Sequence, residues 1–361
     1  MIDRRGCDMI STIALDQLVA RLGEHKIAHA VLPLDNRMTL VATTLGGRLF
    51  AFLPDRGGSL LWVNPAFGDP EAFAAFVRAK SSNIGGDRVW VGPEIQFLVQ
   101  ERSPRVGQSK VVVPVDMDPG MFTLASGAGT GCRLEQTMTL EAFCLARGSV
   151  MLQQRRTIRP LADPLAGTGI SDGVTFAGYE QEISLRRMGG DEIHASWWSV
   201  TNLHPGGDVL FATLPAARYD DFSDTVPHEL HEVGPNYVRA RLTGNRRYKT
   251  GYDARHVLGR YAYLNQWSDD EGYLLVRAFY SQPGGRYLEE PAHKPGRNGH
   301  SAFVYNDGGS FGGFGEFECM GAAIGGPEGP TECLDRLPMW IYIGELAKLR
   351  VVMHALLGVD A

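Results

Sequence analysis

Turn-forming residues interrupt this chain so often that long helices have little room. Its 361 residues include 44 glycines and 20 prolines. Glycine tolerates the positive φ of tight turns, and proline fixes φ while removing a backbone donor, so both end regular elements. Between them lie short runs in which apolar and polar residues alternate, as in CRLEQTMTLEAF at 132–143. A period of two is that of a strand with one buried face. The expectation is a mainly β, antiparallel architecture with a few short helices. Length alone would allow two domains, but no composition break marks a linker, so one domain over residues 1–361 is expected.

Two segments depart from the strand period. Residues 11–22 place Ile13, Leu15, Leu18, Val19 and Leu22 at helical spacing, with Ser11 or Thr12 as N-cap and Gly23 as the stop, and this helix is expected to pack on the body of the chain. Residues 70–80 open on Asp69-Pro70 and put Phe73, Phe76 and Val77 on one side. Residues 111–115 and 340–343 read as strands, 325–338 as a proline-rich connection, and 346–357 as strand or helix.

Charge and cysteine usage narrow the function classes. The net charge is −6 without a basic run, which gives a nucleic-acid surface no electrostatic support. Neither a signal-peptide core nor a membrane-length apolar run is present, so a cytoplasmic location is expected. Cys7, Cys132, Cys144, Cys319 and Cys333 are odd in number and lack a CxxC pair, which suits reduced thiols. His228 and His231 flank Glu229-Leu230 without the i, i+4 spacing of a zinc helix, and Gly127, Gly129 and Gly131 lack nucleotide-loop spacing. No metal and no cofactor are expected.

Chemistry concentrates in residues 303–321, FVYNDGGSFGGFGEFECMG. Asn306-Asp307-Gly308-Gly309 is turn chemistry between two aromatic runs, which predicts a hairpin. Alternation in its second strand puts Phe314, Glu316, Glu318 and Met320 on one face, with the carboxylates about 6–7 Å apart. They either line a cleft, where burial and mutual repulsion suit a general acid or base, or sit solvated on an outer face. In GGDRVWVGPE at 85–94 the same alternation aligns Arg88, Trp90, Gly92 and Glu94. That face offers a polyhydroxylated ligand donors, an apolar platform and an acceptor, or else forms an edge strand with a surface ion pair. A strand over 193–202 aligns Trp198 with Asn202 and, just beyond it, His204, which otherwise is a simple loop histidine.

Three stretches in this order, GGDRVWVGPE, WSVTNLHPGG, and YNDGG with GEFECMG, resemble the galactose mutarotase-like superfamily, in particular its members related to aldose 1-epimerases. The resemblance implies one antiparallel β-supersandwich with a carbohydrate cleft on one sheet. It implies Glu318 as the base for the anomeric hydroxyl, Glu316 as the alternative, Arg88 as a substrate-binding arginine, and His204 as the acid for the ring oxygen. Two departures stand out. The Thr-Asn-His motif reads Thr201-Asn202-Leu203-His204, which displaces the histidine by one residue, and no histidine lies between His29 and His194.

The leading expectation is a carbohydrate-active protein that interconverts sugar anomers, with Glu318 and His204 catalytic and Arg88, Trp90, Glu94, Trp198, Asn202 and Glu316 binding a small-molecule carbohydrate. The alternatives are a sugar-binding or regulatory protein that kept the cleft and lost the chemistry, and a lyase or glycosidase on the same carboxylates.

Overall fold

Alternating strands that bury one face need a second layer, and here the layer is another sheet. The computed structural model describes residues 13–35, 38–53, 58–127 and 131–359. Ser11 and Thr12, expected as the first N-cap, lie outside them. One ten-stranded sheet runs in spatial order through His29–Pro33, Thr39–Thr43, Arg48–Leu53, Asp87–Gly92, Ser196–Leu203, Gly315–Met320, His300–Asn306, Tyr248–Asp253 and Tyr219–Asp221, with Gly58–Ser59 beside Arg48–Leu53. The other runs through His231–Val233, Tyr237–Arg241, Asp208–Thr213, Val257–Gln266, Glu271–Ala278, Glu332–Glu345, Thr175–Gly190, Gly148–Pro160, Cys132–Ala142 and Thr123–Ser126. Neighbouring strands are antiparallel in both. The fold is thus mainly β, with few short helices, as the alternation predicts.

The facing sides of the sheets form the main core. Leu49, Ala51, Val89, Trp197 and Phe317 of the first sheet pack with Leu134, Ile158, Tyr179, Tyr261, Leu275 and Ile341 of the second. Each large apolar side chain buried this way contributes about 1.5–3 kcal/mol.

The outer faces are covered by helices. Leu15–Glu24 buries Leu18 and Leu22 on the first sheet, together with Phe73 of the helix Pro70–Arg78, against Val41, Phe50 and Phe52. Pro70 occupies the first turn, and the Asp69 carboxylate accepts the Ala72 N–H at 2.7 Å, the capping that the sequence announces. These helices cover the half of the first sheet around Thr39–Thr43 and Arg48–Leu53, and the cleft lies over Asp87–Gly92, Ser196–Leu203 and Gly315–Met320. On the second sheet Leu346–Leu357 is a helix that stops at Gly358, in the left-handed region at φ 69°. Leu349, Val352, Met353 and Leu356 recur at helical spacing and cover Leu274, Val276, Trp340 and Tyr342.

Two expectations are corrected. Residues 332–338 are no connection but the first half of the strand Glu332–Glu345, paired along Thr175–Gly190, and Pro338 stands opposite Glu180 within it. Of residues 111–115 only Val111 is strand, in a small hairpin of Val99–Glu101 with Lys110–Val111 that stands apart from both sheets. Strands also form at Asp208–Thr213, Tyr237–Arg241 and Tyr248–Asp253. The described helices include none long and apolar enough to cross a membrane. The described cysteines, Cys132, Cys144, Cys319 and Cys333, are unpaired thiols.

Candidate active site

Register brings the chemistry together. In the first sheet Asn202 stands opposite Glu316, Glu316 opposite Tyr305, and Tyr305 opposite Lys249, so four polar side chains form one row across four strands. A second row runs Arg88, Val200, Glu318 and Phe303, and a third Trp90, Trp198 and Met320. Alternation assigns Phe317 and Cys319 to the intersheet core and leaves Glu316 and Glu318 on the opposite face. The predicted hairpin is present, its loop closed by the Asp307 carboxylate, which accepts N–H groups from Phe311 and Gly313 at 2.9 Å each.

Above these rows lies a cleft of about 350 Å3, large enough for a small organic ligand. Arg88, Trp90, Glu94, Trp198, Lys249, Glu289, Tyr305 and Glu316 line its inner part. The hairpin outside the sheets closes one side with Leu98, Val99, Val111 and Val113.

The charges of the floor are bonded to one another. Arg88 donates to Asn202 Oδ1 at 2.8 Å and to Glu316 Oε1 at 3.1 Å, and Asn202 Nδ2 donates to the same Glu316 oxygen at 2.8 Å. Lys249 Nζ lies 2.9 Å from Glu94 Oε2 and 3.1 Å from Glu318 Oε2. Trp198 Nε1 also donates to Glu318 Oε2, at 2.9 Å, while the buried Glu318 Oε1 has no hydrogen-bond partner among the described residues. Glu289 accepts the backbone N–H of Glu94, and that of Ile95 at 3.3 Å.

Crowding of carboxylates in a buried site shifts their protonation. Burial, with repulsion from Glu316 and Glu94, pushes Glu318 up to about 7 against the attraction of Lys249. Burial and the Glu94 charge push Glu289 up to about 8, opposed by Lys249 and the two backbone donors. Burial alone would lower Lys249, but the charges of Glu318, Glu94 and Glu289 outweigh it and hold the ammonium above its ordinary value. Both carboxyl shifts bring a proton within reach of exchange near neutral pH.

The structure brings together Arg88, Trp90, Glu94, Trp198, Asn202, Glu316 and Glu318, with three differences from the sequence reading. Glu94 is not on the strand: it begins the short helix Glu94–Phe97 after Pro93 and still reaches the cleft. The indoles, expected as open platforms, are 8% and 3% exposed and packed edge to face at 5.5 Å. The Arg88 guanidinium covers Trp90 at 4.0 Å and the Lys249 ammonium lies 4.7 Å from the Trp198 ring, so the tryptophans hold cations in place. Glu318 lies under Lys249 and is 1% exposed.

His204 is set apart from this group. It follows the strand Ser196–Leu203, where the chain leaves the sheet, and its Nε2 lies 3.0 Å from the Ser59 carbonyl. Its side chain is not among those lining the cleft, and burial lowers its pKa.

Lys249 and Glu289 were missed in the sequence. Lys249 alternates with Tyr248 and Thr250 in a strand whose Gly251 and Asp253 look like turn residues. Glu289 sits in an irregular segment with no period to read. Arg88-Val89 preceded by Asp87 also hides a second role: Asp87 faces the other sheet, where it accepts from Tyr179 Oη at 2.7 Å, Gln181 Nε2 at 2.6 Å and Arg277.

No protein-family model and no curated protein matches the chain. Among solved structures it is similar to a galactose mutarotase-like protein from Lactobacillus casei ATCC 334, at 9% identity and a TM-score of 0.47, over 88% of this chain and 100% of that one. It is also similar to the GalM/aldose epimerase homologue from C. elegans, at 10% identity and a TM-score of 0.39, over 88% of this chain and 99% of that one.

Proposed function

We propose that the cleft binds a monosaccharide and interconverts its anomers by general acid and base catalysis. The observation that carries this reading is a set of carboxyl groups at one cleft, Glu94, Glu289 and Glu316 in its lining and Glu318 just beneath it under Lys249, with Glu318 shifted to about 7 and Glu289 to about 8 by burial. General acid and base work is most efficient when pKa values lie near the working pH. Of the site residues, Arg88, Glu94, Asn202, Glu316 and Glu318 lie in the stretches on which the sequence resemblance to mutarotases rests, and Glu289 does not.

In this reading Glu318 takes the proton of the anomeric hydroxyl on its unpartnered Oε1. As the anomeric C–O bond to the ring oxygen breaks, that oxygen takes a proton from a carboxylic acid, leaving an open-chain aldehyde. Rotation and reclosure with the two protons returned give the other anomer, so no net proton is consumed. Glu289, which lines the cleft and keeps its proton near neutral pH, is the acid in place of His204. Asn202, buried beneath Arg88 and Glu316, fixes both, and these two, which line the cleft, hold the sugar hydroxyls. Catalysis requires Lys249 to yield some of its hold on Glu318.

Replacing Glu318 with glutamine keeps the size and removes the acceptor. Interconversion should fall about 100-fold to 10,000-fold, with affinity for the sugar kept within about tenfold. Polarimetry or NMR exchange on an anomerically pure aldose measures the rate. An unchanged rate removes Glu318 from the mechanism.

A second reading, a sugar-binding protein without turnover, is favoured by the near-complete burial of Glu318 beneath Lys249. Wild-type protein that binds an aldose in calorimetry but leaves its anomers to interconvert at the uncatalysed rate would establish it.

A further inference from the structure

The inner cleft is charged but internally compensated; its rim is not. Arg88 and Lys249 are each bonded to carboxylates of the floor. Two further arginines line the same cleft at its mouth, Arg105 and Arg247, and both are exposed. Among the described residues neither guanidinium has a carboxylate within ion-pair distance, although Asp and Glu outnumber Lys and Arg in the chain by 41 to 35. In a chain with excess acid, two unpaired arginines on one rim are unspent positive charge aimed at whatever enters.

Their placement links the two sides of the mouth. Arg105 lies in the loop of the hairpin Val99–Glu101 and Lys110–Val111, where its N–H donates to Ser103 Oγ at 3.2 Å. Arg247 precedes the strand Tyr248–Asp253 and reaches across to that loop: its Nη1 lies 3.9 Å from the point a Cβ on Gly107 would occupy. Inward, it shares the cleft lining with Tyr305, which belongs to the row carrying Glu316 and Lys249. Arg247 thus lines the cleft beside the loop that carries Arg105 and together with the polar floor.

We propose that the ligand is an anionic sugar, with hydroxyls on the floor and a phosphate or carboxylate held at the rim by Arg105 and Arg247. This rests on the reading of the cleft as a monosaccharide site and names the class of sugar. Guanidinium groups pair with both anions through two parallel hydrogen bonds, and such charge-assisted bonds are stronger than neutral ones. The arrangement separates the anion from the floor carboxylates, which would otherwise repel it.

The test is calorimetric titration of the full chain with a hexose, its 6-phosphate, the corresponding hexuronate and inorganic phosphate, at low and raised salt. The 6-phosphate or the hexuronate should bind at least about tenfold tighter than the parent hexose, and the advantage should shrink as salt screens the exposed rim. Whichever of the two binds tighter identifies the anion. In R105A/R247A the ratio of anionic to parent affinity should fall towards one, each arginine accounting for about threefold to tenfold. R247K, which keeps the charge and loses the fork, should retain part of it. A thermal melt checks that the exposed substitutions leave the fold intact.

Equal affinity for the hexose and its anionic derivatives, or a preference that survives in the double variant, overturns the rim site and leaves the monosaccharide reading standing. Inorganic phosphate binding as tightly as the sugar phosphate overturns the anionic sugar in favour of a simple anion. Failure of every sugar to bind overturns both.

Discussion

Glu318 concentrates the chemistry of this molecule into one side chain. Its backbone carbonyl accepts from Tyr261 Oη at 2.9 Å in the core while its carboxylate shares Lys249 with Glu94 on the other face. A carboxyl shifted from 4.5 to about 7 binds its proton more tightly folded than unfolded. Between those pH values the native state holds more protons, so this group makes stability fall as pH rises, by up to about 1.4 kcal/mol per pH unit, with no further change above about 7. The Glu318→Gln variant loses this contribution. Urea unfolding at pH 5 and pH 8 should therefore show the variant gaining on the wild type as pH rises. A gap that stays constant would mean that Lys249 keeps Glu318 ionised throughout.

The strand Asp87–Gly92 shows how an element is placed. It is preceded by two glycines in the left-handed region, Gly85 at φ 93° and Gly86 at φ 74°. A Cβ on Gly86 would lie 2.6 Å from the Leu49 carbonyl oxygen, and one on Gly85 2.4 Å from that of Trp62. Both obstacles are backbone, which cannot move aside as a side chain could. Gly86→Ala combines an unfavourable φ with a clash and should cost about 2 kcal/mol or more, read as a lower unfolding midpoint. Because Arg88 and Trp90 follow immediately, the same variant should weaken sugar binding. A midpoint unchanged within error would show that the turn relaxes freely.

The whole molecule is two sheets tied by polar groups as well as by apolar packing. Asp87 extends from the cleft-bearing sheet into the interior and meets Tyr179, Gln181 and Arg277 of the other, with Arg277 also donating to the Leu337 carbonyl at 3.1 Å. Arg156 is buried beside them on Gln181 and the Gly47 carbonyl, and burial lowers it to about 10. Of the two guanidinium groups, Arg277 is the one paired with the Asp87 carboxylate. Asp87→Asn leaves Arg277 without its counter-charge in the interior, which should cost about 3–5 kcal/mol. Equilibrium denaturation checks this, and a loss under about 1 kcal/mol would mean that the tie contributes little. Asp87 and Arg88 thus divide one strand between two tasks, sheet pairing inside and ligand chemistry outside.

That division was legible in part from the sequence. Alternation is a local property, and it correctly placed Arg88 with Trp90, and Glu316 with Glu318, because strand geometry alone sends successive side chains to opposite faces. Turn chemistry located the hairpin around Asp307 for the same reason. Sequence could not say which strands would be neighbours, since pairing joins residues more than a hundred positions apart, as in Asn202 opposite Glu316. Nor could it find Lys249 or Glu289, whose importance lies in what they touch. The indoles looked like platforms because tryptophan is large and apolar, but only packing decided that Arg88 and Lys249 would occupy their faces. His204 fell outside the group because the chain leaves the sheet after Leu203, and a side chain beyond the end of a strand no longer follows its alternation. Local period therefore determined the elements and their faces, whereas register, burial and the company of charges, which arise only when distant segments meet, decided the site.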